Sequence, residues 1–351
     1  MDGDGSGEVG ELELTVSVPA RNEEASLPAC LESLVRQSEP GFELGRQWEL
    51  IVVDDHSTDR THTIAADLAA RYAGITVLDA PPLEGFTGKN NACWAAARRA
   101  HGRWILFTDA DTVHEPGDLS RSLREAERHH VVLLSYSPRQ IVKGFWQRVV
   151  MPLVFSELAS VYVMKQVNDP KSRLAAANGQ FLLVERETYF AVGGHQAVAN
   201  DVLEDVALAR AFKESRRAIR FRYAPEALST RMYRTTREMV EGWTKNLVLL
   251  FPEPVKLAIF RVLDVVLYFG LPVVALGLPR LVSWQRWVIM LFWCRTLLRF
   301  YRRVARSNFP AVDVALSILG VPLFVYLLVR SAVHHRFRRA VDWKGRSYRV
   351  G

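Results

Sequence analysis

The stretch Trp104-Ile105-Leu106-Phe107-Thr108-Asp109-Ala110-Asp111 decides the fold. A short apolar run closed by polar residues reads as a strand buried on both faces. It delivers two carboxylates, spaced i, i+2, to the carboxyl edge of a sheet. There the pair can bind one hard divalent cation that also grips a diphosphate. Aspartates after a strand are also ordinary turn residues, so the weight of the pair depends on its surroundings.

Strand and helix patterns alternate around it from residue 12 to about 224. Residues 14–18 read as a buried strand, and 22–37 as a helix with apolar positions Leu27, Cys30, Leu31, Leu34 and Val35. Residues 50–53 form a second strand, closed by Asp54-Asp55-His56-Ser57-Thr58-Asp59, with Ser57 or Thr58 placed to cap a helix running to Tyr72. Residues 75–78 are a third strand and 90–101 an Ala-rich helix, ahead of the 104–107 strand. This rhythm predicts an α/β fold with a doubly wound, mainly parallel sheet and a ligand site at the carboxyl ends of its strands.

Composition bounds the function. Of the 351 residues, 49% are hydrophobic, high for a soluble protein, and the net charge is +7. Residues 280–351 hold 14 Lys and Arg against 2 Asp and Glu, so this stretch carries +12 and residues 1–279 carry −5. Basic residues interleaved with long apolar runs fit the anionic face of a membrane. No zinc-finger spacing, Gly-rich RNA signature or base-reading basic helix points to nucleic acid. Cys30, Cys93 and Cys294 lie far apart and form no C-x-x-C pair, which fits a reducing cytosol. Residues 1–12 are Gly- and acid-rich and are expected to be a disordered lead-in rather than a signal peptide.

Beyond about residue 247 the pattern changes. Residues 257–278, 284–301 and 312–333 are apolar, flanked by Trp284, Trp287, Tyr301, Tyr326 and arginine clusters. They read as membrane helices, with two to three crossings or interfacial segments. A further apolar stretch, 145–164, reads as an interfacial helix. The expected organisation is a catalytic domain over 13–246, membrane helices over 247–335 and a basic cytosolic tail over 336–351.

Taken in order, Pro19-Ala20-Arg21-Asn22-Glu23-Glu24, Val53-Asp54-Asp55-His56-Ser57-Thr58-Asp59, Gly88-Lys89-Asn90-Asn91, Asp109-Ala110-Asp111 and Leu203-Glu204-Asp205 resemble the family 2 glycosyltransferases, which share a GT-A fold. The resemblance covers about residues 14 to 250. It implies that the loop carrying Pro19, Arg21 and Glu23 offers groups to a nucleobase. It implies that Asp55 accepts from a uracil imide N–H, an acceptor role that a carboxylate fills well. Asp54 is either a nucleotide ligand or a structural cap. Lys89 reaches the base or the phosphate oxygens, or is a solvated lysine. Asp109 and Asp111 hold the ribose and a Mg2+ or Mn2+ on the diphosphate. Asp205, beside Glu204, is the general base that takes the acceptor's proton, and one base with in-line displacement implies inversion.

Asn178-Gly179-Gln180 combines close backbone approach with amides suited to sugar hydroxyls. Trp243 stacks on the acceptor or packs in a core, and Lys245 contacts diphosphate or lies at a membrane interface. Glu241-Gly242-Trp243-Thr244-Lys245-Asn246 stands where many relatives have Q-x-x-R-W, which argues against a processive polymerase. The tail from Val341 to Tyr348 is similar to the end of lipid-modifying members, among them ceramide glucosyltransferases and enzymes of hopanoid and carotenoid pathways. The resemblance then implies that the tail is cytosolic and folds back near the active site.

The sequence thus predicts a membrane-bound, non-processive hexosyltransferase using a UDP-sugar and a lipid acceptor, located at the cell membrane with its catalytic domain in the cytosol. A polyprenyl-phosphate acceptor is the near alternative. An idle membrane scaffold or sugar-nucleotide sensor is the alternative of another class. A nucleotidyltransferase would need a Gly-rich phosphate loop where this chain has Pro19-Ala20-Arg21-Asn22-Glu23.

Overall fold

The computed structural model describes residues 12–82, 85–279, 281–338, 340–343 and 346–349. The expected lead-in, Leu12 apart, lies outside the described residues, as do the tail side chains from 337 onward. In chain order the elements are β1 (Leu14–Ala20), α1 (Leu27–Val35), β2 (Trp48–Asp54), α2 (Thr61–Ala69), β3 (Ile75–Asp79), α3 (Gly88–Arg99), β4 (Trp104–Phe107), β5 (Thr112–His114), α4 (Asp118–Arg128), β6 (Leu133–Ser137) and β7 (Arg139–Gln140). There follow α5 (Phe145–Val161), α6 (Met164–Val167), β8 (Leu182–Glu185), α7 (Arg186–Ala191), α8 (Gly194–Ala197), α9 (Glu204–Glu214), β9 (Ile219–Tyr223), β10 (Leu228–Thr230), α10 (Thr236–Leu250), α11 (Pro254–Val265), α12 (Leu271–Gly277), α13 (Ser283–Val304), α14 (Ala311–Leu316) and α15 (Val321–Arg338). Residues Ala340–Trp343 and Arg346–Arg349 pair as antiparallel strands.

The chain divides into two compact units, the first made of Met1–Arg139 with Met164–Arg231 and the second of Gln140–Val163 with Met232–Gly351. The second unit thus takes in the 145–164 stretch up to Val163 and begins again at Met232, where the sequence drew a single boundary at 246.

In the first unit a sheet runs in the order β3-β2-β1-β4-β8-β6-β9. All neighbouring pairs are parallel except those of β8, which runs antiparallel to both β4 and β6. The middle strands read as unbroken apolar runs because both faces are covered. Leu50 and Val52 of β2 join a core with Leu27, Leu31 and Leu34 of α1, while the alternate Ile51 and Val53 join Ala92 and Ala96 of α3. From β1 the chain winds outward to β2 and β3 and then returns to β4 on the other side. That reversal opens a crevice at the carboxyl ends of β1 and β4.

Two boundaries differ from the sequence expectation. Helix α1 begins at Leu27 rather than Asn22, because Asn22 adopts φ 51° and its segment is tied to the loop after β2. Neither Ser57 nor Thr58 caps α2. Ser57 Oγ instead accepts from the Asn22 N–H, and the Thr58 N–H donates to Asn22 Oδ1.

The second unit is helical. Val149, Val150, Leu153 and Val154 of α5 pack with Trp243 and Leu247 of α10, Phe300 and Val304 of α13, and Phe324, Leu327 and Leu328 of α15. Two stretches, Pro254–Gly277 and Ala311–Arg336, are long and apolar enough to cross a membrane. The first holds a wide turn at Val266–Gly270 just ahead of Pro272. Pro272 has no N–H for the carbonyl four residues back, that of Tyr268, and the Trp293 indole donates to that oxygen at 2.9 Å. Glu157, Arg261, Asp264 and Arg303 form one ion network within this unit. Large apolar side chains face outward, with Leu276 77% and Trp287 76% exposed.

Candidate active site

The strand register carries three loops to one edge. Ala20 lies beside Asp54 across the β1–β2 pair, and Ser17 beside Phe107 across β1–β4. The loop after β1 is stapled to the loop after β2. Asp55 N–H donates to Ala20 O at 2.8 Å, and the Arg21 guanidinium donates to the Asp55 carbonyl at 2.5 Å and to that of His56 at 3.3 Å. Glu23 N–H donates to Thr61 Oγ1 at 2.8 Å. Pro19, Arg21, Glu23, Asp54 and Asp55 therefore belong to one rim. Asp54 plays the turn role left open by the sequence, with Oδ2 accepting from Ser57 N–H at 3.0 Å. Its Oδ1 is buried and has no hydrogen-bond partner among the described residues. Asp55 is 4% exposed, and its carboxylate lies 3.4 Å from His56 Nδ1.

A second cluster forms where β4 ends. Thr112 N–H donates to the Asp109 carbonyl at 3.1 Å, closing a turn that holds Asp109 and Asp111 at the strand's edge. Thr87 caps α3 through Asn90 N–H and so brings in Lys89 on its first turn. Lys89 is not a solvated lysine. Its Nζ lies 2.8 Å from Asp109 Oδ1 and 2.8 Å from Glu204 Oε1. Burial pulls the Lys89 ammonium down, but Asp109 and Glu204 more than reverse this and hold it well above the ordinary lysine value.

Glu204 and Asp205 open α9. Asp205 Oδ2 accepts from Gly179 N–H at 2.8 Å, and its Oδ1 accepts from Val206 N–H at 2.8 Å. Burial and then the neighbouring Glu204 push its carboxyl up to about 7, against the pull of Lys89 and the two backbone donors. A carboxyl tuned to that value suits a general base at neutral pH. Gly179 fits because a Cβ there would stand 2.7 Å from Lys89 Nζ and 3.3 Å from Glu204 Oε1.

Asn178, Gly179 and Gln180 make a tight turn beside this cluster. Gln180 N–H donates to Asn178 Oδ1 at 2.9 Å, and Asn178 N–H to Ser135 Oγ at 2.8 Å. Gln180 is 3% exposed and its amide donates to Thr230 Oγ1 at 3.1 Å, so its side chain is spent inside the fold rather than offered to a sugar. Trp243 and Lys245 belong to the second unit. Trp243 is a packing residue there, 2% exposed, with its indole N–H on Met151 Sδ at 3.3 Å and the rings of Phe155 and Tyr233 edge-on to it. That corrects the stacking expectation, since no ring face is left for an acceptor. Lys245 is half-buried on α10, and its carbonyl lies 3.0 Å from His335 Nε2.

Asn90 was assigned no role from the sequence, yet its fully buried amide lies within 2.7, 2.9 and 3.1 Å of the carbonyls of Val198, Ala199 and Asp201. These bonds anchor the loop that leads into Glu204 and Asp205. The available signal was a polar pair, Asn90-Asn91, opening a helix whose other inward positions are alanine and cysteine.

The donor set around Asp109 and Asp111 is two hard carboxylates. Among the described residues no group of three or more His, Cys, Asp or Glu forms a metal cage. Two carboxylates without a cage match Mg2+ or Mn2+, which complete their shell with substrate phosphate and water.

Comparison with known proteins identifies the fold. The sequence profile described as glycosyl transferase family 2 matches residues 15–187. The 4,4'-diaponeurosporenoate glycosyltransferase of Staphylococcus haemolyticus (strain JCSC1435) is 25% identical over 346 residues, covering 96% of this chain and 88% of that protein. The protein of the same name from Staphylococcus aureus (strain USA300) is 28% identical over 349 residues, with the same coverage. A mannosyltransferase from Pyrobaculum calidifontis, solved in complex with GDP-Man and Mn2+, is similar in fold, with a TM-score of 0.54 at 16% identity over 93% of this chain and 88% of that one. The fold is GT-A, the chain is a glycosyltransferase, and its residues 15–187 match the family 2 profile.

Proposed function

We propose that this enzyme transfers one hexose, with inversion, from a UDP-sugar to the hydroxyl of a membrane lipid, with Mg2+ or Mn2+ as cofactor. The observation that carries the reading is the cluster Lys89–Asp109–Glu204–Gly179–Asp205 at the β4 edge. Asp205 takes the acceptor's proton as its oxygen attacks the anomeric carbon opposite the diphosphate. The Gly179 and Val206 N–H groups hold the carboxylate in place for that transfer. Glu204 raises the affinity of Asp205 for the proton, and Lys89 balances the charge of both acids. The rim of Pro19, Arg21, Glu23, Asp54 and Asp55 holds the nucleoside, with Asp55 accepting from the uracil imide. Asp109 and Asp111 would hold the metal, which when bound neutralises charge on the departing nucleoside diphosphate.

The relatives are named for diaponeurosporenoate, a carboxylate, so what we carry over to the proposed acceptor is the carotenoid-type lipid and not the attacking group, which we take to be a hydroxyl. The exposed apolar faces of α11, α12 and α13 support attachment at the cell membrane, with the catalytic unit on the cytosolic side. The proposed organisation is a GT-A domain over 13–246, membrane helices over 247–335 and a basic cytosolic tail over 336–351. A polyprenyl phosphate arrives already as an oxyanion and would leave Asp205 nothing to deprotonate. A carboxyl whose proton affinity is raised by burial and by Glu204 supports a hydroxyl acceptor.

The test is to incubate detergent-solubilised enzyme and total membrane lipid with radiolabelled UDP-glucose and Mn2+, beside Asp205→Asn, and count label in the organic phase. Label that requires Asp205 supports the proposal. Donor binding without hydrolysis or transfer, across several nucleotide sugars, would favour the idle sensor.

A further inference from the structure

Behind the strand that ends in Asp109 runs a buried polar chain that the reaction above does not use. Asp118 and His114 are 1% and 3% exposed, and His114 Nδ1 lies 2.8 Å from Asp118 Oδ2. His114 Nε2 lies 3.0 Å from Thr108 Oγ1, and Thr108 Oγ1 lies 2.8 Å from the carbonyl oxygen of Gln180. A threonine has one hydroxyl hydrogen and a carbonyl can only accept. The Thr108 hydrogen is therefore spent on Gln180, and His114 Nε2 must carry a hydrogen and donate to Thr108. A second proton lies between His114 Nδ1 and Asp118, and the pair is neutral overall whichever partner holds it. The chain has one direction, from His114 through Thr108 to the Gln180 carbonyl.

Its far end is the turn that serves the base. The Gln180 carbonyl held by Thr108 is one residue along from Gly179, whose N–H holds Asp205. The Gln180 amide continues to Thr230, and the Thr230 hydroxyl donates to the Asp111 carbonyl at 3.3 Å. Both acid-bearing segments thus hang on one anchored residue. We propose that His114 and Thr108 are positioning residues for transfer, fixing the 178–180 turn so that the Gly179 N–H stays aimed at the Asp205 carboxylate. This rests on Asp205 being the base. The charged groups facing Asp205 are Glu204 from its own helix and Lys89 from α3. Those facing Asp118 are His114, Arg121 from α4 and Arg222 from β9.

The experiment measures kcat, donor KM and the pH dependence of transfer for full-length Thr108→Val, Thr108→Ser, His114→Gln and Asp205→Asn, using UDP-glucose and membrane lipid extract. Loss of a hydrogen bond to a charged group is worth about tenfold, so Thr108→Val is expected to lower kcat about tenfold with little change in KM. Its acid limb should move up by about one pH unit, because a carboxylate that loses a donor holds its proton more tightly. Thr108→Ser keeps the hydroxyl and should restore both. His114→Gln keeps an N–H for Thr108 and should show the same direction with a smaller loss, which preserves the test if Thr108→Val does not fold. Variants that only lose thermal stability, with kcat and acid limb at wild-type values, overturn the proposal. Failure of the base assignment reads differently: Asp205→Asn would transfer at the wild-type rate, and this proposal would fall with it.

Discussion

The two units of this chain place charge and grease in opposite ways. The first buries its apolar side chains on both faces of a sheet and gathers Lys89, Asp109, Glu204 and Asp205 at one edge. The second turns Val273, Leu276, Trp284, Trp287 and Leu291 outward and keeps Glu157, Arg261, Asp264 and Arg303 among its helices. So much uncovered apolar surface is the pattern of a part that meets lipid or another protein. The contrast teaches that a single sequence can pattern its two parts by opposite rules, one gathering charge at an edge and the other turning apolar side chains outward.

The comparison can be broken most forcefully in the first unit. Asp205→Asn keeps the side chain's size and removes its basicity. It should lower transfer about a thousandfold while UDP binding, measured by calorimetry, stays unchanged. Asp111→Ala should weaken donor binding about a hundredfold in Mn2+ and leave the residual binding insensitive to EDTA. In the second unit, Arg261→Leu leaves Glu157 and Asp264 with one arginine between them. Stranding a buried charge costs about 3 kcal/mol, visible as a lower melting temperature in detergent.

The next effect links activity to stability. The Asp205 carboxyl sits at about 7 in the folded enzyme and near about 3.9 in an unfolded chain. Between those values the native state holds a proton that the unfolded chain has lost, so wild-type stability falls as pH rises through that window. Asp205→Asn lacks this penalty. Its melting temperature should exceed the wild type's at pH 8, with the difference vanishing at pH 4, while wild-type activity rises through pH 7. The smallest effect belongs to the outer surface: replacing Trp284 and Trp287 with Ala should weaken binding to anionic vesicles a few-fold.

The parts legible in the sequence were those that local pattern controls. Residues 104–107 form the expected strand because an apolar run of that length, closed by the polar Thr108 and Asp109, has few other uses. The start of α1 was misread because Asn22 bonds residues about 36 positions away, at Ser57 and Thr58, and no local propensity reports such a partner. The same holds within the candidate site. Lys89, Asp109, Gly179 and Asp205 each stood out, but the Lys89 bridge and the Gly179 donor appear only when four loops meet. Trp243 shows the converse: an aromatic in a motif-like position can simply fill a core.

The Lys89 bridge carries a last consequence. An ammonium shared by Asp109 and Glu204 matches the site's own acids with a built-in counter-ion. The fold can therefore bring Asp109 and Glu204 to one edge without their charges driving the loops apart.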